Sequence, residues 1–220
     1  ISDRFFDEPR KAGKSKSQSD ILHIVTIARL ASWAKKKNVG SVIEALARSE
    51  DHVNYRYTIV GDGDIRETLQ DRVHQLGMDD KVTFAGSKGT DEIIEILDEA
   101  DLFVLASKQS RHDVESFGMV YTEAAARGLP CLLSLEGGAT DAVRHGVTGH
   151  IIETSTPDAI ADGIRYVYHN YAAFDPDAIR RFAAEFRWSN VAPRMRQVIR
   201  DNLGDEGAER GADTREPVRS

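Results

Sequence analysis

The chain has 220 residues with 29 Lys+Arg against 36 Asp+Glu, a formal net charge of −7 and a sequence pI near 5.5, which argues against a nucleic-acid binder driven by phosphate neutralisation. A composition of 40% hydrophobic and 30% charged residues excludes a globally disordered chain, and a single cysteine, Cys131, excludes an internal disulfide framework and a cysteine-based zinc cluster. No apolar run approaches the ~18 residues of a membrane span, and no secretory signal pattern opens the chain, so the expectation is a cytoplasmic α/β protein.

Residues 1–20 include the polar stretch from Arg10 to Ser19 and read as a linker. The start at Ile1 rather than Met points to a piece of a longer protein. The body is expected over residues 21–203, opening on an apolar strand at Leu22–Ala28. A cationic loop follows, with Arg29, Lys35, Lys36 and Lys37. Val39, Val42, Ile43, Leu46 and Ala47 then fall on one helix face. A second strand, Tyr55–Val60, runs into Gly61-Asp62-Gly63; Arg66 stands where a dinucleotide fingerprint needs its third glycine, so the motif reads either as a tight turn that opens a helix with Asp62 or Asp64 as its cap or as a turn that a nucleotide passes. A third strand, Lys81–Ala85, ends at Ser87 and Lys88, which either offer groups to a nucleobase or form a plain loop. A fourth strand is expected at Leu102–Ala106. Phe117, Val120, Tyr121, Ala124 and Ala125 predict a helix that Gly128 stops. Strands at Pro130–Ser134 and His150–Ile152 flank Gly137-Gly138, a glycine turn that either feeds a ligand-facing helix terminus or is a plain helix entry. Helical faces at Ile160, Ile164, Val167 and Tyr168, and at Val191, Met195, Val198 and Ile199, close the body. Residues 204–220 have almost no large apolar residue and read as a disordered tail.

Several strands lack in/out alternation, as strands buried on both faces of a parallel sheet do. Their alternation with helices predicts a doubly wound, Rossmann-like parallel sheet, with ligands at the C-terminal edge of the strands. Gly13-Lys14-Ser15 is not a phosphate-binding loop, because Glu8 stands where that motif needs its first glycine and no strand precedes it. The seven histidines, His112 among them, show no metal-ligand spacing, so no metal site is assigned.

The most informative stretch runs from Asp113 to Ala124. A helix starting near Phe117 leaves the amides of Gly118, Met119 and Val120 unpaired on its first turn. That terminus suits a diphosphate, and Gly118 lets an anion approach the backbone. Glu115 and Glu123, eight residues apart, flank the terminus. One acid can accept from sugar hydroxyls and the other from a ribose, while singly each also fits an ordinary helix-start or solvated acid. Arg29 and Lys37 bring fixed cations to the same edge, where charge develops on a departing diphosphate.

In their order, Arg29…Lys37, Gly61-Asp62-Gly63, Phe84-Ala85-Gly86, Ala100–Val104, Ser107, Glu115-Ser-Phe-Gly…Glu123-Ala, Gly128-Leu-Pro130 and Gly137-Gly138 resemble the retaining glycosyltransferases of group 1, family 4, which have the GT-B fold. The resemblance spans residue 21 to about 200. It implies the C-terminal, donor-binding half of such an enzyme. Arg29 and Lys37 would then hold the diphosphate of a UDP-, GDP- or ADP-sugar, Glu115 would touch the transferred sugar and Glu123 the ribose. The Arg-to-Lys gap is longer than usual in the family, so Lys36 can stand in for Lys37, and Asp141 occupies a usual Glu position. The implied reaction moves a hexose to an acceptor hydroxyl with retention and without a cofactor or metal. The saccharide or lipid-linked acceptor would be bound by an N-terminal domain absent from this chain. The alternatives are a donor-binding module inactive without that domain, and a GT-B-like sugar-nucleotide 2-epimerase.

Overall fold

The computed structural model describes residues 1–7, 21–49, 52–108, 118–137 and 139–203. Six strands form one parallel sheet in the order β3-β2-β1-β4-β5-β6, the doubly wound order expected. They are β1 (Leu22–Ile27), β2 (Tyr55–Val60), β3 (Val82–Gly86), β4 (Leu102–Val104), β5 (Cys131–Ser134) and β6 (Gly149–Ile152). β4 and β5 are buried at every residue, which explains their unbroken apolar sequence.

The helices are α1 (Val39–Ala47), α2 (Arg66–Gln75), α3 (Thr90–Glu99), α4 (Met119–Ala126), α5 (Pro157–His169), α6 (Pro176–Ala184) and α7 (Trp188–Leu203). Right-handed crossovers put α1 and α2 on one face of the sheet and α3 and α4 on the other. Accordingly α1 packs on α5 and α4 packs on α6. Burial follows the expected periodicity: Val39, Val42, Ile43 and Leu46 line the inner face of α1, and Ile160, Ile164 and Val167 that of α5.

A hydrogen-bond chain crosses the sheet centre. The Tyr57 hydroxyl donates to Thr26 Oγ1 at 2.8 Å, and Thr26 donates in turn to the Val104 carbonyl. Burial drives the Tyr57 phenol far above its ordinary pKa, with the Thr26 bond acting the other way, so it stays a neutral donor. Cys131 is likewise buried, and burial raises its thiol pKa, which leaves it unreactive.

Residues 1–7, grouped above with the linker, pack on the body. Phe5 joins the core, and its carbonyl accepts from Arg127 Nη1 at 3.0 Å. The terminal amine of Ile1 donates to the Phe186 carbonyl at 2.8 Å. The polar stretch 10–19 and the tail 204–220 lie outside the described residues. The expected helix after Gly137-Gly138 is only a 3₁₀ turn over Thr140–Ala142. Gly138 itself also lies outside the described residues.

Candidate functional site

The cationic loop is built from backbone contacts that extend the β1–β2 ladder past the strand ends. Ala28 N donates to the Val60 carbonyl (2.9 Å), Leu30 N to that of Asp62 (2.9 Å) and Ile65 N to that of Leu30 (3.0 Å). Ser32 N donates to Asp64 Oδ1 at 2.7 Å. Such close approach needs glycine at position 61. Its φ is +130°, and a Cβ there would sit 1.9 Å from the Ala28 carbonyl oxygen. Gly61-Asp62-Gly63 thus serves as a turn that seats the Arg29 loop. Neither Asp62 nor Asp64 caps α2, whose N-cap is Ile65 without a side-chain bond. Asp62 instead accepts from Gly63 N and from Arg66 Nη1, while Asp64 holds Ser32.

At the strand C-terminal edge lies a cavity of about 620 Å³. Arg29, Lys36, Lys37, Asp62, Ser87, Lys88 and Val120 all line it, so both lysine alternatives face the same space. This volume falls in the range of small-molecule sites. Arg29, Lys37, Ser87, Lys88 and Val120, predicted from three separate segments, therefore meet in one place. A neighbouring cavity of about 430 Å³ shares Arg29, Ala34 and Lys37 and continues toward Asn38 and Ser41. Lys88 is paired with Glu92 at 2.7 Å, whose carboxylate also accepts from the amide of Gly89, the N-cap of α3, at 2.9 Å.

α4 starts at Met119, two residues later than the sequence suggests, with Gly118 as a left-handed N-cap at φ +70°. The Tyr121 hydroxyl anchors this start to the Leu105 carbonyl, and the Tyr121 ring packs edge-on against Phe103. A Cβ on Gly118 would lie 2.6 Å from the Tyr121 ring. The glycine is therefore required by its backbone conformation and by this ring. Met119 is exposed and Val120 half-buried, and their amides precede the intrahelical ladder. Glu123 is partly buried and has no hydrogen-bond or ion-pair partner among the described residues. Burial raises its carboxyl pKa, and the terminal ammonium of the chain pulls it back in part. Glu123 is not among the residues lining the cavity. Glu115 and His112 lie outside the described residues.

Two neighbours of the cations escaped the sequence reading. Trp33, exposed in the cavity wall, carries the Arg29 guanidinium 5.0 Å from its ring centroid. Asn38 is buried beside Lys37. Asparagine just before an apolar helical face was its one sequence signal. On the far edge, His150 stacks on Tyr166 with His145 5.0 Å away, a pair that sequence spacing did not reveal. Among the described residues no three His, Cys, Asp or Glu side chains group as metal ligands, and no helix is long and apolar enough to cross a membrane.

This is a doubly wound α/β domain with a basic crevice at the carboxyl edge of its sheet. A profile of the glycosyl transferases group 1 matches residues 7–184, and the chain belongs to that family. The GDP-mannose-dependent alpha-(1-6)-phosphatidylinositol monomannoside mannosyltransferase of Mycobacterium tuberculosis is 29% identical over 213 residues, covering 94% of this chain and 54% of the relative. The N-acetyl-alpha-D-glucosaminyl L-malate synthase of Bacillus anthracis is 33% identical over 153 residues, covering 70% and 37%. Anabaena HepE in complex with UDP and glucose shares the fold with a TM-score of 0.70 at 22% identity, over 82% of this chain and 48% of that one. The chain thus spans about half the length of the first curated relative.

Proposed function

We propose that this chain is the C-terminal, donor-binding half of a retaining glycosyltransferase, which moves a hexose from a nucleotide sugar to an acceptor hydroxyl. The carrying observation is the convergence of Arg29, Lys37, Ser87, Lys88 and Val120 on one cavity at the sheet's carboxyl edge. Arg29 and Lys37 hold the donor diphosphate with the amides of Gly118, Met119 and Val120. Ser87 and Lys88 meet the base, Glu123 the ribose and Glu115 the transferred sugar. As the bond from the anomeric carbon to the diphosphate breaks, charge grows on the leaving oxygen, and fixed cations and amides stabilise it there. The acceptor oxygen bonds to the anomeric carbon on the same face, and its proton passes to the departing phosphate.

The chain's length, about half that of its first curated relative, supports a second element that binds the saccharide or lipid-linked acceptor. This half alone binds donor without turning it over. A thermal-shift series with UDP-, GDP- and ADP-sugars tests the reading. One nucleotide class raises the melting temperature in a concentration-dependent way, and Arg29→Ala needs about tenfold more ligand for the same gain. Equal melting curves with and without all three would refute it. Given the name of the mycobacterial relative, GDP-mannose is the first donor to try.

A further inference from the structure

Asn38 adopts the left-handed conformation at φ 57°, ψ 29°, alone among non-glycine described residues in having positive φ. Asparagine tolerates this region better than most residues, but it still costs energy that the surroundings must offset. Its side chain supplies the offset. Nδ2 donates to the Ala106 carbonyl at 3.0 Å and to the Ser155 carbonyl at 2.9 Å, using both amide hydrogens in a buried setting. Those acceptors lie 68 and 117 residues away along the chain, past the ends of β4 and β6. Ser155 is fixed in turn by Glu136, which follows β5 and accepts from both its amide and its hydroxyl. On the other flank, the Lys36 carbonyl accepts from Lys108 N at 2.7 Å. Lys37 sits between these two ties and lines both cavities.

We infer that Asn38 is the positioning residue for Lys37: its left-handed turn and its two-carbonyl clamp hold that lysine at the donor diphosphate. The inference rests on the donor-binding reading above. Replacing Asn38 leaves two buried carbonyls without donors and frees the turn between the 3₁₀ segment Ser32–Lys37 and α1.

The test is a double-mutant cycle, read by calorimetric titration of the whole chain with GDP, UDP and ADP. Lys37→Ala weakens binding of the preferred diphosphate about tenfold, the factor that 1.4 kcal/mol represents. Asn38→Ala weakens it by a similar factor, and Lys37→Ala/Asn38→Ala is no weaker than Lys37→Ala alone. Asn38→Gly keeps the left-handed turn without the clamp, falls between wild type and Asn38→Ala, and guards against an Asn38→Ala protein that does not fold. Independent, multiplying losses, or wild-type affinity in both Asn38 variants, would overturn the inference. Amide hydrogen exchange supplies a readout that needs no ligand. In Asn38→Gly, protection drops at residues 36–39 while the sheet stays protected, and unchanged protection there overturns the inference by itself. A wild-type chain that binds none of the three diphosphates sinks the donor-binding reading instead, and the exchange result still decides whether Asn38 holds the Lys37 turn.

Discussion

The two ends of α4 treat charge in opposite ways. At its C-terminal end Arg127 is 1% exposed, yet its bonds are made: Nε and Nη2 grip the Asp98 carboxylate at 2.7 and 2.8 Å, and Nη1 reaches the Phe5 carbonyl. At the N-terminal end the first-turn amides precede the helical ladder, while Glu123, midway along the helix, is partly buried and makes no hydrogen bond or ion pair among the described residues. One end fastens α3 and the N-terminal segment to the body. The other presents first-turn backbone amides where Val120 lines the basic crevice.

Substitutions at the two ends should separate these roles. The largest effect is expected from Arg127→Met, which removes the two-bond guanidinium grip on the Asp98 carboxylate and the donor to the Phe5 carbonyl. Urea unfolding should show a loss of about 3 kcal/mol, toward the low end for a broken buried ion pair because Asp98 keeps some solvent contact. Nucleotide affinity of the folded fraction should not change. At the opposite end, Gly118→Ala forces a Cβ toward the Tyr121 ring in a left-handed turn and should cost about 2 kcal/mol. Unlike Arg127→Met, it should also weaken nucleotide binding in calorimetry. If both variants lost stability alone, the two ends would not differ in kind.

Arg29→Ala should lower affinity for the nucleotide diphosphate about tenfold with little change in melting temperature. Its guanidinium rests on an exposed Trp33 ring rather than in the core. The smallest effect should come from Glu123→Gln, and its sign depends on pH. A carboxyl whose folded pKa is raised holds its proton more firmly in the folded state. Stability therefore falls as pH climbs from the ordinary glutamate range through the raised value. Glu123→Gln should slightly raise the melting temperature at neutral pH and leave it unchanged in acid, while ribonucleotide affinity falls. A variant less stable at neutral pH would show that Glu123 has a structural partner.

Much of the fold was legible because burial on both faces writes itself as an apolar run. Tyr55–Val60 matches its strand residue for residue through alternation instead, with exposed Arg56 between buried Tyr55 and Tyr57. The run Leu102–Ala106 overshoots β4 because Leu105 and Ala106 are equally buried after the strand ends. α3 passed unnoticed, since its acidic surface leaves only Leu97 fully buried. Within the site, the cations were legible because they directly follow a strand whose end faces ligands in this topology. The devices that hold them were not. Asn38 depends on carbonyls that only tertiary folding brings near, and the constraint on Gly118 is an aromatic ring whose position sequence spacing does not give.

The most direct test is an NMR titration of the isotope-labelled chain with the nucleotide sugar that stabilises it most. The donor-binding account predicts saturable shifts at the amides of Gly118, Met119 and Val120 together with those of Arg29, Lys37 and Ser87, all fitting one dissociation constant. Shifts confined to the His145–His150 edge, or amides of the α4 start that stay still while the ligand binds elsewhere, would contradict it.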